Sequence, residues 1–140
     1  MLPMPDIVGR IIAWFLLFVH GGLGVWAIAG SIELTGASLP WPSVTNAELP
    51  RWLLWLRWPL IGAAAITFIA GYVACWRFTP WAMLAIYAGM AAMCAYETFF
   101  VLTNPSRYRL MAVEYTEYAA ISAFLLLSSH MRQRFSPGGT

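Results

Sequence analysis

Ile11–Gly30, IIAWFLLFVHGGLGVWAIAG, runs for twenty residues without a formal charge and carries one imidazole, His20, near its centre. A helix needs about 20 predominantly apolar residues to cross a bilayer, so this stretch by itself points to a membrane. Arg10 precedes it, and Ser31, Glu33 and Thr35 follow. The triplet Ala27-Ile28-Ala29 resembles the small-residue site at which leader peptides are cleaved. The run is nonetheless long enough to span, and it is read as a retained first spanning helix.

The rest of the chain agrees. Of 140 residues, 61% are hydrophobic and 10% charged, where a soluble domain usually carries about 25% charge. A soluble enzyme is excluded. Four spans would use about 80 residues and leave only loops.

Outward from the first run, residues 31–50 hold Pro40, Pro42 and Pro50 and little helical periodicity. This is the longest loop, and such loops are disproportionately functional. Trp52, Trp55 and Trp58 then recur every third residue beside Arg51 and Arg57. Tryptophan favours the headgroup level, and Pro59 lacks a backbone donor. Arg51–Trp58 is therefore expected as a short interfacial helix leading into a span at 59–76. Thr79 as N-cap and Pro80 at the first helical position open a third span over 81–102. A fourth is expected over 113–131. The fold expected is all-α: a single domain, 1–140, built as an integral membrane bundle of four transmembrane helices.

Helices in lipid associate through close packing of small residues. Ala82, Ala85, Gly89 and Ala92 form such a stripe on the third span. Gly62, Ala65 and Ala70 supply one on the second, and Ala119 and Ala123 on the fourth. Trp41, Trp52, Trp55 and Trp58 are the candidate partner or membrane-interface residues. The partners expected are the bilayer and other integral membrane subunits. The eight arginines form no basic stripe, which argues against nucleic acid. Cys75 and Cys94 differ in expected depth by roughly 15 Å, beyond disulfide reach.

Orientation is finely balanced. Arg10, Arg77, Arg132 and Arg134 fall on one side, and Arg51, Arg57, Arg107 and Arg109 on the other. All five glutamates lie on the second side. The lean is toward cytoplasmic termini in a bacterial inner membrane.

Two residues stand out chemically. His20 is at midspan, where ionisable side chains are uncommon; a neutral imidazole there could ligate haem iron or bacteriochlorophyll magnesium, or hydrogen-bond to a hydroxyl on another helix. Glu97 lies within the third span, and a buried carboxylate is neutral or paired. Arg107 or Arg109 from the following loop, or Tyr115 or Tyr118, is the expected partner. With Glu114 and Glu117 these would form a polar pocket at one membrane face. No catalytic motif and no metal-ligand spacing appears.

Arg10 entering the first span, Gly21–Gly24, the long loop, Gly62 and Gly71, and the tight turn Arg77–Pro80 together resemble the DoxX-like family of small four-helix membrane proteins. That resemblance implies the four-helix membrane fold and a redox or transport role. Where the family carries an acidic residue at the start of its second span, this chain has Arg57-Trp58-Pro59. The leading functional expectation is a non-catalytic accessory or structural subunit of a larger bacterial membrane complex, packing through small-residue and Trp-rich faces. A DoxX-like redox or transport component using the Glu97 pocket is one alternative. A cofactor-bearing subunit with His20 as axial ligand is the other.

Overall fold

The computed structural model describes residues 4–37, 39–40 and 42–136. They form α1 (Met4–Leu34), α2 (Arg51–Val73), α3 (Thr79–Tyr96), α4 (Arg107–Leu127) and a short α5 (Ser129–Arg134). α3 continues without a break into a π-helical turn, Glu97–Val101. Four of these helices are long and apolar enough to cross a membrane. The protein is an all-helical membrane bundle whose outer faces are apolar enough to meet lipid.

The helices pack in chain order, α1 on α2, α2 on α3 and α3 on α4. α5 lies against both α1 and α4 and ties the two ends of the arc together. The core centres on Trp58, Phe68, Met83, Leu125 and Met131, each fully or almost fully buried.

The break expected at Pro59 is absent: α2 is one helix from Arg51 to Val73 with Pro59 inside it. A proline there removes one donor, a loss that helices in membranes tolerate because neighbours re-satisfy the freed carbonyl. Pro59 is exposed on α2, between the two surface grooves that this helix shares with α1 and with α3. Arg51–Trp58 is thus the first part of the second span. Its tryptophans divide accordingly: Trp52 and Trp55 are about half exposed, at 53% and 51%, whereas Trp58 is 2% exposed. Trp58 packs edge-on against Trp26 and fills the space left by Gly30. Trp41 lies outside the described residues.

The fourth span is shifted toward the N-terminus. It starts at Arg107 and stops at Leu127, where Ser128 turns extended (ψ 131°) before α5 begins. Within the third span the packing face also differs from the small-residue stripe. Met83, Tyr87, Met90 and Cys94 are buried, while Ala85, Gly89 and Ala92 face outward. Ala119 and Ala123 of α4 are likewise exposed. Buried small residues such as Ala13, Ala27, Ala64 and Ala65 lie on α1 and α2 instead.

The long loop is clasped at both ends. The Glu33 carboxylate accepts hydrogen bonds from the backbone N–H of Val44 (3.0 Å) and Thr45 (3.1 Å) and from the Ser43 hydroxyl (3.0 Å). Arg51 donates to the Leu34 carbonyl at 2.7 Å, satisfying the open end of α1.

Candidate functional site

The apolar interior is crossed by one column of polar and aromatic groups, assembled from all four spans. At its centre is His20, fully buried on α1. Nδ1 lies 2.7 Å from the Leu16 carbonyl, and a carbonyl can only accept, so Nδ1 carries the hydrogen. A neutral ring then leaves Nε2 as acceptor, and the Tyr87 hydroxyl of α3 donates to it at 2.7 Å. The imidazole also stacks on Phe68 of α2, with centroids 4.2 Å apart. Both ring nitrogens are engaged. In this arrangement His20 offers no lone pair to haem iron or bacteriochlorophyll magnesium.

From Tyr87 the column continues toward the loop face. Tyr87 stacks on Tyr118 of α4 at 5.2 Å and 16°. The Tyr118 hydroxyl donates to Glu114 Oε2, one turn earlier on the same helix, at 3.0 Å. Beyond Glu114 is a cavity of about 20 Å³ lined by Arg57, Ile61, Met90, Met93, Cys94, Glu97, Glu114 and Tyr118. Across it, Glu97 Oε2 receives a 2.5 Å charge-assisted hydrogen bond from Arg57 Nη1. Glu97 Oε1 is buried with no partner among the described residues.

Local sequence explains the geometry. Glu97 is the first residue of the π-helical turn. It continues the buried face of α3 at ordinary helical spacing, with Cys94 one turn and Met90 two turns earlier. Such π-helical turns recur at functional positions in membrane and soluble helices alike. Arg57 enters from α2, about 9 Å along the helix from Arg51, and its stem is mostly covered, with 21% of the side chain exposed.

The polar pocket expected from sequence divides. Glu97, Glu114 and Tyr118 are brought together, joined by Arg57 and Cys94. The remaining four members lie elsewhere. Arg107 turns to the Leu102 carbonyl and to the Tyr108 hydroxyl, and so closes its own loop. Tyr115 donates to the Ala91 carbonyl at 2.8 Å and fastens α4 to α3. Arg109 and Glu117 are exposed. Glu97 therefore draws its cation from α2, a partner whose sequence position suggested an interfacial helix instead.

Toward the other face the column runs from His20 to Phe68 and on to Tyr72, which stacks on Phe68 at 6.1 Å. Arg134 lies over the Tyr72 ring at 4.0 Å. Among the described residues, no group of three or more His, Cys, Asp and Glu side chains is placed to hold a metal ion, and both cysteines are free.

Neither protein-family models, nor curated proteins, nor solved structures match the chain.

Proposed function

We propose that this chain is a proton-handling component of a bacterial inner-membrane assembly, with Glu97, Arg57, Glu114 and Tyr118 as its working centre. One observation carries the reading. A buried carboxylate keeps one oxygen unpartnered beside a cavity, and a second carboxylate lines that cavity. Ionisable side chains inside a span are costly and mark ion or proton pathways. A cavity above about 10–15 Å³ holds one water, and the space here is about 20 Å³.

The chemistry is a proton transfer that conserves charge within the pocket. Protonated Glu97 gives its proton to the intervening water, which gives one of its own to Glu114. Arg57 holds the carboxylate left on Glu97, and the Tyr118 hydroxyl orients Glu114. Arg57, partly exposed, connects the pocket to the loop face. A redox or transport role of the DoxX-like kind would use this centre as its proton-coupled step.

The arginine balance supports an orientation. With Arg57 committed to Glu97, the flanking arginines number four on the terminal side and three on the loop side. The side richer in arginine is cytoplasmic, so both termini face the cytoplasm and the Glu97 centre lies in the outer half of the bilayer.

The test is infrared difference spectroscopy of the purified chain in lipid, titrated from acid to alkaline pH in water and in heavy water. Wild type should show a protonated-carboxyl band that shifts in heavy water and gives way to carboxylate as pH rises. Glu97→Gln should lose that band, and Glu117→Gln should keep it. A wild type with no such band, or a Glu97→Gln chain that keeps it, overturns the proposal.

A second reading, the non-catalytic accessory subunit, is favoured by a separate observation. α4 buries only Leu125 among its residues, and the small residues Ala85, Gly89 and Ala92 face outward. Small residues are what helices in lipid use to approach one another. Mild solubilisation should then recover the chain in a stable stoichiometric complex, whereas a lone chain argues against it.

A further inference from the structure

At the face opposite the Glu97 centre, α1, the end of α2 and α5 enclose a cavity of about 360 Å³. Arg10, Arg134 and His130 line its rim, Tyr72 its wall, and Trp14 and Leu17 its floor. We propose that this cavity binds the headgroup of an anionic phospholipid, with the acyl chains lying along Trp14 and Leu17.

Three features support one occupant of this chemistry. First, Arg134 is pre-aimed: its Nε donates to the Tyr72 carbonyl at 3.0 Å and its guanidinium lies flat over the Tyr72 ring. The Nη groups make no hydrogen bond among the described residues, and a fixed planar fork suits a phosphate. Second, charge is one-sided. All five glutamates lie toward the other face, and Asp6 is the one acidic residue in the sequence near this one, against Arg10, Arg77, Arg132 and Arg134. Third, the cavity has the depth of a lipid site. Arg10 and Leu17 are seven residues apart on α1, about 10 Å along the axis, so the basic rim grades into an apolar floor. Trp14, 69% exposed, lies between them, at the level where an indole meets glycerol and headgroup. Basic pockets between helices at a membrane face hold anionic headgroups in this way.

The experiment titrates the delipidated full chain in detergent with phosphatidylglycerol, phosphatidylcholine or inorganic phosphate, and counts bound molecules by native mass spectrometry. One phosphatidylglycerol per chain is expected, with phosphatidylcholine bound at least about tenfold more weakly, since two arginines each contribute about fivefold. Arg10→Gln and Arg134→Gln should each weaken binding about fivefold. Arg132→Gln, exposed on the same helix and outside the cavity, should change nothing. Arg10 is exposed and leaves packing intact when replaced, so unchanged phosphatidylglycerol binding in Arg10→Gln overturns the proposal. Equal binding of the two lipids, or an equal loss in Arg132→Gln, does the same. Displacement of the lipid by equimolar inorganic phosphate would show a free-anion site and also overturn it.

Discussion

Arg57 and Glu97 lie forty residues apart in the chain and 2.5 Å apart in space, tying α2 to the π-helical turn that ends the third span. The pair is shielded on the carboxylate side, where 6% of the Glu97 side chain is exposed, and partly open on the arginine side. Removing one partner therefore strands the other in a poorly solvated place. Glu97→Leu and Arg57→Leu should each destabilise the bundle by up to about 3–5 kcal/mol, toward the lower end because Arg57 reaches solvent, and the double Leu variant should recover part of the loss. Glu97→Gln keeps a hydrogen bond and should fold nearly as wild type. Unfolding in mixed micelles measures all four. Strictly additive single losses would mean the two residues do not depend on each other.

The membrane class, the helix count and the approximate spans were legible because twenty-residue apolar runs leave little choice. So was the isolation of Glu97, the one carboxylate in the third span. What escaped the sequence was its partner. Arg57 sits among Trp52, Trp55 and Trp58, a pattern that reads as an interface, and Pro59 reads as a break. Only the continuous helix carries Arg57 inward to the depth of Glu97. The small-residue stripe of α3 misled for a related reason: spacing identifies a face but not which way it points. The burial of Tyr87 on the opposite face follows from its bond to His20, and no local pattern announces that pairing.

His20 and Tyr87 form the second coupled pair. His20→Leu removes both imidazole hydrogen bonds and leaves the Tyr87 hydroxyl buried without its acceptor. The expected cost is about 1–3 kcal/mol. Tyr87→Phe should cost less than His20→Leu, since the bond to Leu16 survives. The same samples should show no Soret or near-infrared band in either wild type or variant. A pigment band that disappears in His20→Leu would instead make His20 a ligand.

Topology follows from four crossings. In a chain with Cys75 and Cys94 replaced by Ala, single cysteines at Ala47 and Thr103, both exposed, should react with an impermeant maleimide from the same side of the membrane. A cysteine at Ser136 should react from the other side. Ser136 labelled together with Ala47 would require an even number of crossings between them and contradict the fold.

The turn between α2 and α3 carries Cys75 in the left-handed region, φ 52°. Trp76 N–H closes it onto the Gly71 carbonyl at 2.9 Å, the six-residue bond that ends many helices, usually with glycine in the left-handed place. A side chain there costs roughly 1 kcal/mol. Cys75→Gly should therefore raise stability by about 0.5–1 kcal/mol, seen as a higher midpoint of unfolding. A lower midpoint would mean the cysteine contributes packing that outweighs the backbone strain.

The glycines give the sharpest contrast between what spacing suggests and what contact demands. Gly21 and Gly22 open the conspicuous cluster of the first span, yet a Cβ at either meets nothing within 4 Å. Gly30, less conspicuous, has the Trp58 indole against its backbone, and a Cβ there would fall 2.1–2.4 Å from three ring carbons. Gly71 is similar, with the Thr79 hydroxyl oxygen 2.2 Å from the same hypothetical atom. Neither neighbour can step aside, because Trp58 is 2% and Thr79 0% exposed. Gly30→Ala and Gly71→Ala must then push whole helices apart, α1 from α2 in one case and α2 from α3 in the other. Each should cost about 1–3 kcal/mol or more. Gly21→Ala should be neutral, or stabilise by up to about 1 kcal/mol, because alanine is the better helix former. Shrinking the neighbour separates steric cost from any other effect. In Gly71→Ala, the added change Thr79→Ser removes the methyl but leaves the oxygen that clashes, so little should be regained. Thr79→Ala removes both and should recover most of the loss. Midpoints of unfolding for these variants read the result directly. Equal recovery by Thr79→Ser and Thr79→Ala would place the clash at the methyl group rather than at the hydroxyl oxygen.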